Sequence, residues 1–232
     1  MPAPTTVVDD HLRALGGRLT GPGRRRSDLL REARHGLEDA VSAYLAAGLD
    51  PEAAQRRAVA EFGTPAELAP AYQAELAAGA LRSLAARTSL VSLLLVAKAD
   101  VMWRGAPWTG SRPSTGYLLL AAALDLVWLV IGLLGVLGYA WLVWSTRGGR
   151  TGADRPARTV GQVLTAVVAL GALGGVAVYV WSMGLWSAAR AWPPMLVGGG
   201  LTVLAFAWIA HAAWSCRAST RAVAAAEPAV AG

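Results

Sequence analysis

Residues 117–144 form an apolar run of 28 residues whose only charge is Asp125. At about 1.5 Å of rise per residue, a helix over that stretch outlasts a hydrocarbon core of about 30 Å and spans it with tilt. Inside a bilayer no water is present to satisfy peptide groups, so a chain carrying such a run must be helical there. Residues 160–186, which are uncharged, and residues 194–214 read the same way.

Residues 84–103 are less clear, because Arg87, Lys98 and Asp100 interrupt them. Positive charge decides between three spans and four. With three spans and a cytoplasmic N-terminus, the connector bearing Arg147, Arg150, Arg155 and Arg158 falls outside, and so does the tail bearing Arg217 and Arg221, against the positive-inside tendency. With residues 84–103 also crossing, both fall inside and only Arg104, Arg112 and Arg190 remain outside. Four spans, about 84–103, 117–144, 160–186 and 194–214, are the expectation, with three as the alternative.

Charge also separates the chain into two unlike parts. Residues 1–87 hold eleven arginines against eleven acids, while the remainder carries the whole net charge of +6 and all ten tryptophans. The basic excess lies between apolar runs, so it argues for a membrane and its lipids and against direct contact with nucleic acid. Trp103, Trp108, Trp141, Trp144, Trp186, Trp192 and Trp214 fall near predicted span ends, where interfacial anchors belong. Gly132, Gly135 and Gly138, the pair Gly171 and Gly175, and glycines 198–200 permit close helix approach and admit a homo-oligomer. No basic segment followed by an apolar core opens the chain, so no cleavable signal peptide is expected. Cys216 is the single cysteine, which excludes an intramolecular disulfide.

Residues 1–80 read as a small helical bundle. Thr6 and Asp9 start a first helix with Val8, Leu12, Leu15 and Leu19 on one stripe, ended by Gly21, Pro22 and Gly23. A second helix, from about 24 to 47, carries Leu30, Ala33, Leu37 and Val41 on one side. Arg31, Glu32, Arg34, Glu38 and Asp39 lie largely on the other, as a solvated face or as the face a partner would meet. Gly48 suits a left-handed C-cap, and Asp50 with Pro51 starts a third helix that runs through Phe62 to Gly63. Thr64 and Glu67 form a capping box for a fourth helix bearing Leu68, Tyr72 and Leu76, which Pro70 should bend or delay. The fold class is thus all-α: an N-terminal cytoplasmic helical bundle (1–80), a four-helix transmembrane bundle (81–216) and a cytoplasmic tail (217–232). The fourth helix would run into the first span as a rigid link.

The segments 28–32, Leu37-Glu38-Asp39, Gly48, Pro51-Glu52-Ala53-Ala54, Ala58 and 61–65 together resemble the HAAS domain, also called permease prefix domain 1. That bacterial helical signalling module stands ahead of membrane segments. The resemblance covers about residues 8–77, with Leu37, Gly48, Pro51, Phe62 and Gly63 as its signature. Gly36 stands where the family usually places a histidine. The resemblance implies a partner, a PadR-type transcription regulator; the same prefix also heads ABC-type permeases, which makes an accessory or truncated permease component the alternative.

No reaction chemistry is expected. The chain has no Ser/His/Asp grouping, no Gly-rich phosphate loop and no HExxH motif, so no catalytic residue and no cofactor is assigned. His11 and His35 lack companions at metal-ligand spacing, so no metal is assigned either. Two charges inside the spans need an account, since each costs roughly 2.5–3.5 kcal/mol at mid-membrane. Lys98 lies five residues before Trp103 and Asp125 eight after Tyr117, so both sit about 8–12 Å below the outer face. Either they form an ion pair between the first two spans, or Lys98 snorkels outward while Asp125 meets backbone or water.

Overall fold

A computed structural model describes residues 6–103, 113–147, 154–186 and 190–226. Among the described residues there are seven helices and no strand: α1 (Val7–Arg18), α2 (Gly23–Ala46), α3 (Pro51–Phe62), α4 (Pro65–Trp103), α5 (Thr115–Arg147), α6 (Asp154–Leu185) and α7 (Pro193–Ala226). They divide into two compact units, Met1–Ala80 with Ser215–Gly232, and Leu81–Trp214.

In the first unit the helix boundaries follow local chemistry. The Asp9 N–H donates to Thr6 Oγ1 at 3.2 Å, and the Asp9 carboxylate accepts the Thr6 N–H at 3.3 Å, which closes the expected capping box on α1. Asp50 Oδ1 accepts from the N–H groups of Glu52 and Ala53 at 3.1 and 3.0 Å, and Pro51 opens α3 without a lost hydrogen bond. Gly63 stops α3 at φ 102°, a left-handed value. Thr64 and Glu67 then cap α4 reciprocally.

The helices of this unit bury two apolar clusters. Val8 and Leu12 of α1 meet Ala33 and Leu37 of α2 and Ala58 of α3. Leu15, Leu19 and Leu76 form the second cluster, with Leu29, Leu30, Leu68 and Tyr72 packed against it. Leu37 and Leu76 are fully enclosed, which stabilises the fold by roughly 1.5–3 kcal/mol each.

Three boundaries differ from expectation. α1 ends at Arg18, and Leu19 continues the buried stripe from extended backbone at φ −92°, ψ 130°. Pro70 does not delay α4, which begins at Pro65. The carbonyl left without a helical donor by Pro70 is that of exposed Ala66, which water can satisfy. α7 does not stop near residue 214; it stays helical to Ala226, and from Ser215 onward it belongs to the first unit, with Cys216 and Ser219 buried.

The second unit consists of long apolar helices, and among the described residues four helices (α4 to α7) are long and apolar enough to cross a membrane. Large apolar side chains such as Leu119, Leu170, Leu173 and Val203 point outward. That surface suits lipid, because an apolar face costs nothing against acyl chains. The small residues pack unequally. A Cβ on Gly135 would lie 3.2 Å from the Ala85 carbonyl oxygen, and one on Gly132 3.2 Å from Ser92 Cβ, so α4 and α5 meet at these two glycines. A Cβ on Gly171 would meet the Trp128 ring at 2.8 Å, whereas Gly138, Gly175 and Gly200 face open space. Trp141, Trp144 and Trp214 are exposed as anchors would be. Trp186 instead is buried with Tyr117 and Met195, its ring edge-on to Tyr117 at 5.7 Å. Trp108 and Arg150 lie outside the described residues, as do the side chains of Asp100, Trp103, Arg147, Arg155 and Arg158.

Candidate functional site

The charged residues of α2 divide between two environments. Arg34 donates to Asp9 of α1 at 2.7 Å and lies 3.9 Å from Glu38, while Arg31 pairs with Asp28 at 3.1 Å. These arginines serve contacts within the unit. The Arg34 guanidinium, with the Thr6 hydroxyl and N–H, holds the Asp9 carboxyl down to about 2. Asp39 is exposed. Glu32 turns the other way, into a groove of about 540 Å³ lined by Leu29, Ala33, Phe62, Ala71, Tyr72 and Glu75. An aromatic and aliphatic floor between two carboxylates, Glu32 and Glu75, suits a basic side chain carried on an apolar helix face.

The signature residues occupy structural places. Leu37 is core, Gly48 and Gly63 adopt φ 91° and 102°, and Pro51 is the first residue of α3. Phe62 also stands edge-on to His11 at 6.1 Å and contributes to the groove floor. His35 is exposed, whereas His11 is buried, and its Nε2 has no hydrogen-bond partner among the described residues. Burial pushes the His11 imidazole below its ordinary value. Among the described residues no three His, Cys, Asp or Glu side chains converge as a metal site requires.

Two polar clusters have no counterpart in the sequence reading. The Tyr44 hydroxyl donates to the Glu61 carboxylate, which also accepts from Arg57 Nε at 2.7 Å. Those bonds lower the Glu61 carboxyl and raise the Tyr44 phenol. Gln73, buried in α4, accepts the Thr20 N–H on Oε1 at 2.8 Å and donates from Nε2 to the carbonyls of Thr20 at 2.7 Å and Ser219 at 3.0 Å. One carboxamide thus holds the α1–α2 connection and the end of α7. The available signal was a lone amide amid the apolar residues Ala69, Tyr72, Leu76 and Ala80 of α4.

In the second unit Lys98 and Asp125 line one cavity. The Lys98 ammonium donates to Thr202 Oγ1 at 2.5 Å and to the Gly198 carbonyl at 3.4 Å, so its described hydrogen bonds run to α7. Nearer the other end of the span, Arg87 lies over the Trp208 ring at 4.8 Å.

Compared with known protein families, curated proteins and solved structures, the chain matches none. Four apolar helices are compatible with a multi-pass membrane protein.

Proposed function

We propose that this is a multi-pass membrane protein whose first unit faces the cytoplasm and docks a regulatory protein, and that the regulator is of PadR type. The groove between Glu32 and Glu75 carries this reading: it is apolar in its floor, acidic at its rims and open at the surface of the first unit. Such a groove recognises an amphipathic helix that presents arginine or lysine beside aliphatic anchors. The likeness of residues 8–77 to the HAAS module supports the choice of regulator, and the positive-inside bias of the connector supports the cytoplasmic side. Signalling would follow if packing of the spans changes how the groove is presented, since the chain passes between the units within α4 and again within α7.

The test uses the full chain in its native membrane, with a photo-crosslinking amino acid in place of exposed Ala71. A small winged-helix regulator in the adduct supports the reading, and the double charge reversal Glu32→Lys, Glu75→Lys should cut its yield about a hundredfold, since each hydrogen bond to a charged group contributes about 1.5–3 kcal/mol. An ATPase in the adduct would favour the permease alternative. Orientation is checked separately with Glu52→Cys in a Cys216→Ser background: labelling by an impermeant maleimide added outside intact cells would sink the cytoplasmic assignment.

A further inference from the structure

The second unit holds a cavity of about 600 Å³ whose lining differs from the surrounding lipid-facing surface. Trp128 and Phe206 form one wall, their rings 5.6 Å apart and tilted by 49°. The opposite part carries hydroxyls: Tyr117 bonds Ser182 at 2.9 Å, and Tyr179 approaches α7 where Gly199 leaves room, a Cβ there lying only 3.0 Å from the phenol oxygen. Lys98 and Asp125 add the charges. Cavities of roughly 300–1,000 Å³ with apolar walls and a few converging polar groups are the usual form of small-molecule sites.

The charge restricts the ligand, and a cavity of about 600 Å³ has room for at least one long acyl chain. The described acceptors of Lys98, Thr202 and Gly198, are both uncharged. They orient the ammonium without neutralising it themselves, so an arriving anion gains a charge-assisted contact there. We infer that this cavity binds a single-chain amphiphile with an anionic head, a long-chain carboxylic acid being the simplest, its carboxylate on Lys98 and its chain along Trp128 and Phe206. The site would give the membrane unit a ligand of its own, independent of any protein docked on the first unit.

The experiment uses the full chain in nanodiscs of zwitterionic lipid and a diazirine-bearing stearic acid as probe, with labelled peptides identified by mass spectrometry. Expected is labelling concentrated around Trp128 and Phe206 that excess oleate competes away. Lys98→Met should weaken it about tenfold, the usual scale of one charge-assisted hydrogen bond, while Asp125→Asn should not weaken it. Ala121→Phe keeps Lys98 and fills the cavity, so it should abolish the labelling even if Lys98→Met fails to fold. Labelling spread evenly over outward leucines, or unaffected by oleate, would overturn the inference. Stronger labelling by a diazirine alkylamine that depends on Asp125 would do the same, and so would a diazirine phosphatidylglycerol that occupies the same residues and resists oleate. None of these readouts involves the partner groove.

Discussion

The Gln73 carboxamide pairs with both backbone groups of Thr20, accepting its N–H at 2.8 Å and donating to its carbonyl at 2.7 Å, 53 residues away in sequence. This is the geometry of a strand pair reproduced by a side chain, and the buried amide also reaches the Ser219 carbonyl. Removing it strips both backbone groups of Thr20 of a part-buried partner. Gln73→Leu should therefore destabilise the first unit by about 2–3 kcal/mol, and Gln73→Glu, which loses the donor, by a similar amount. Limited proteolysis of the full chain, scored for cleavage in residues 19–23, should rise in both variants; an unchanged pattern would show that the amide is dispensable.

The Arg34–Asp9 pair ties α1 to α2 and makes stability depend on acid. Asp9 falls from an ordinary 3.8 to about 2 when folded, chiefly through the Arg34 hydrogen bond. A carboxyl with a depressed folded value contributes stability that is complete above the unfolded value and disappears as pH falls through the folded one, here between about pH 4 and about pH 2. Asp9→Asn should flatten the thermal stability profile in that window and leave the slope at neutral pH unchanged. A variant profile parallel to wild type down to about pH 2 would refute the linkage.

His11 acts at milder pH. Its imidazole is buried beside Phe62, and desolvation holds its folded value below 6.5. The unfolded chain then binds the proton more readily, so stability is complete above about pH 6.5 and declines as pH falls below it. His11→Leu removes both the titration and an unsatisfied buried nitrogen, and should stabilise the unit by about 1 kcal/mol at neutral pH and by more in mild acid. Melting curves at about pH 8 and about pH 5.5 check the sign.

Two glycine-to-alanine changes should move stability in opposite directions. Gly63 lies at φ 102° between α3 and α4, where an L side chain is strained, so Gly63→Ala should cost about 1–3 kcal/mol. Gly36 sits inside α2 with nothing within 4 Å of its would-be Cβ, so Gly36→Ala should stabilise by about 0.5–1 kcal/mol. Equal effects in a melting comparison would contradict the backbone assignment.

What could be read from the sequence was local. Thr6 with Asp9, Asp50 with Pro51, and Thr64 with Glu67 each lie within four residues of their partners, so the helix starts of the first unit follow from spacing alone. Leu37 and Leu76 show as core for the same reason, because one helix period places them. The contacts that were missed join distant residues: Gln73 to Ser219 across 146 positions, and Lys98 to Thr202 across 104. No periodicity links such pairs. Lys98 illustrates the limit, since depth below the membrane face set it level with Asp125, and depth alone does not reveal that Thr202 of α7 accepts from its ammonium. The charged face of α2 was visible as charge, but Arg34 is held by Asp9, and Glu32 belongs with Phe62, Tyr72 and Glu75, three residues on other helices.

Because the Ser219 carbonyl accepts from Gln73, the first unit contains parts made both before and after the apolar helices. A ribosome that has finished residue 80 has released a bundle with one seam still open, and that seam stays open until every apolar helix has been inserted. Nascent chains stalled before residue 215 should therefore remain protease-sensitive near Thr20, and a reporter fused after a truncation at Trp214 would be attached to a protein that never reaches its closed form.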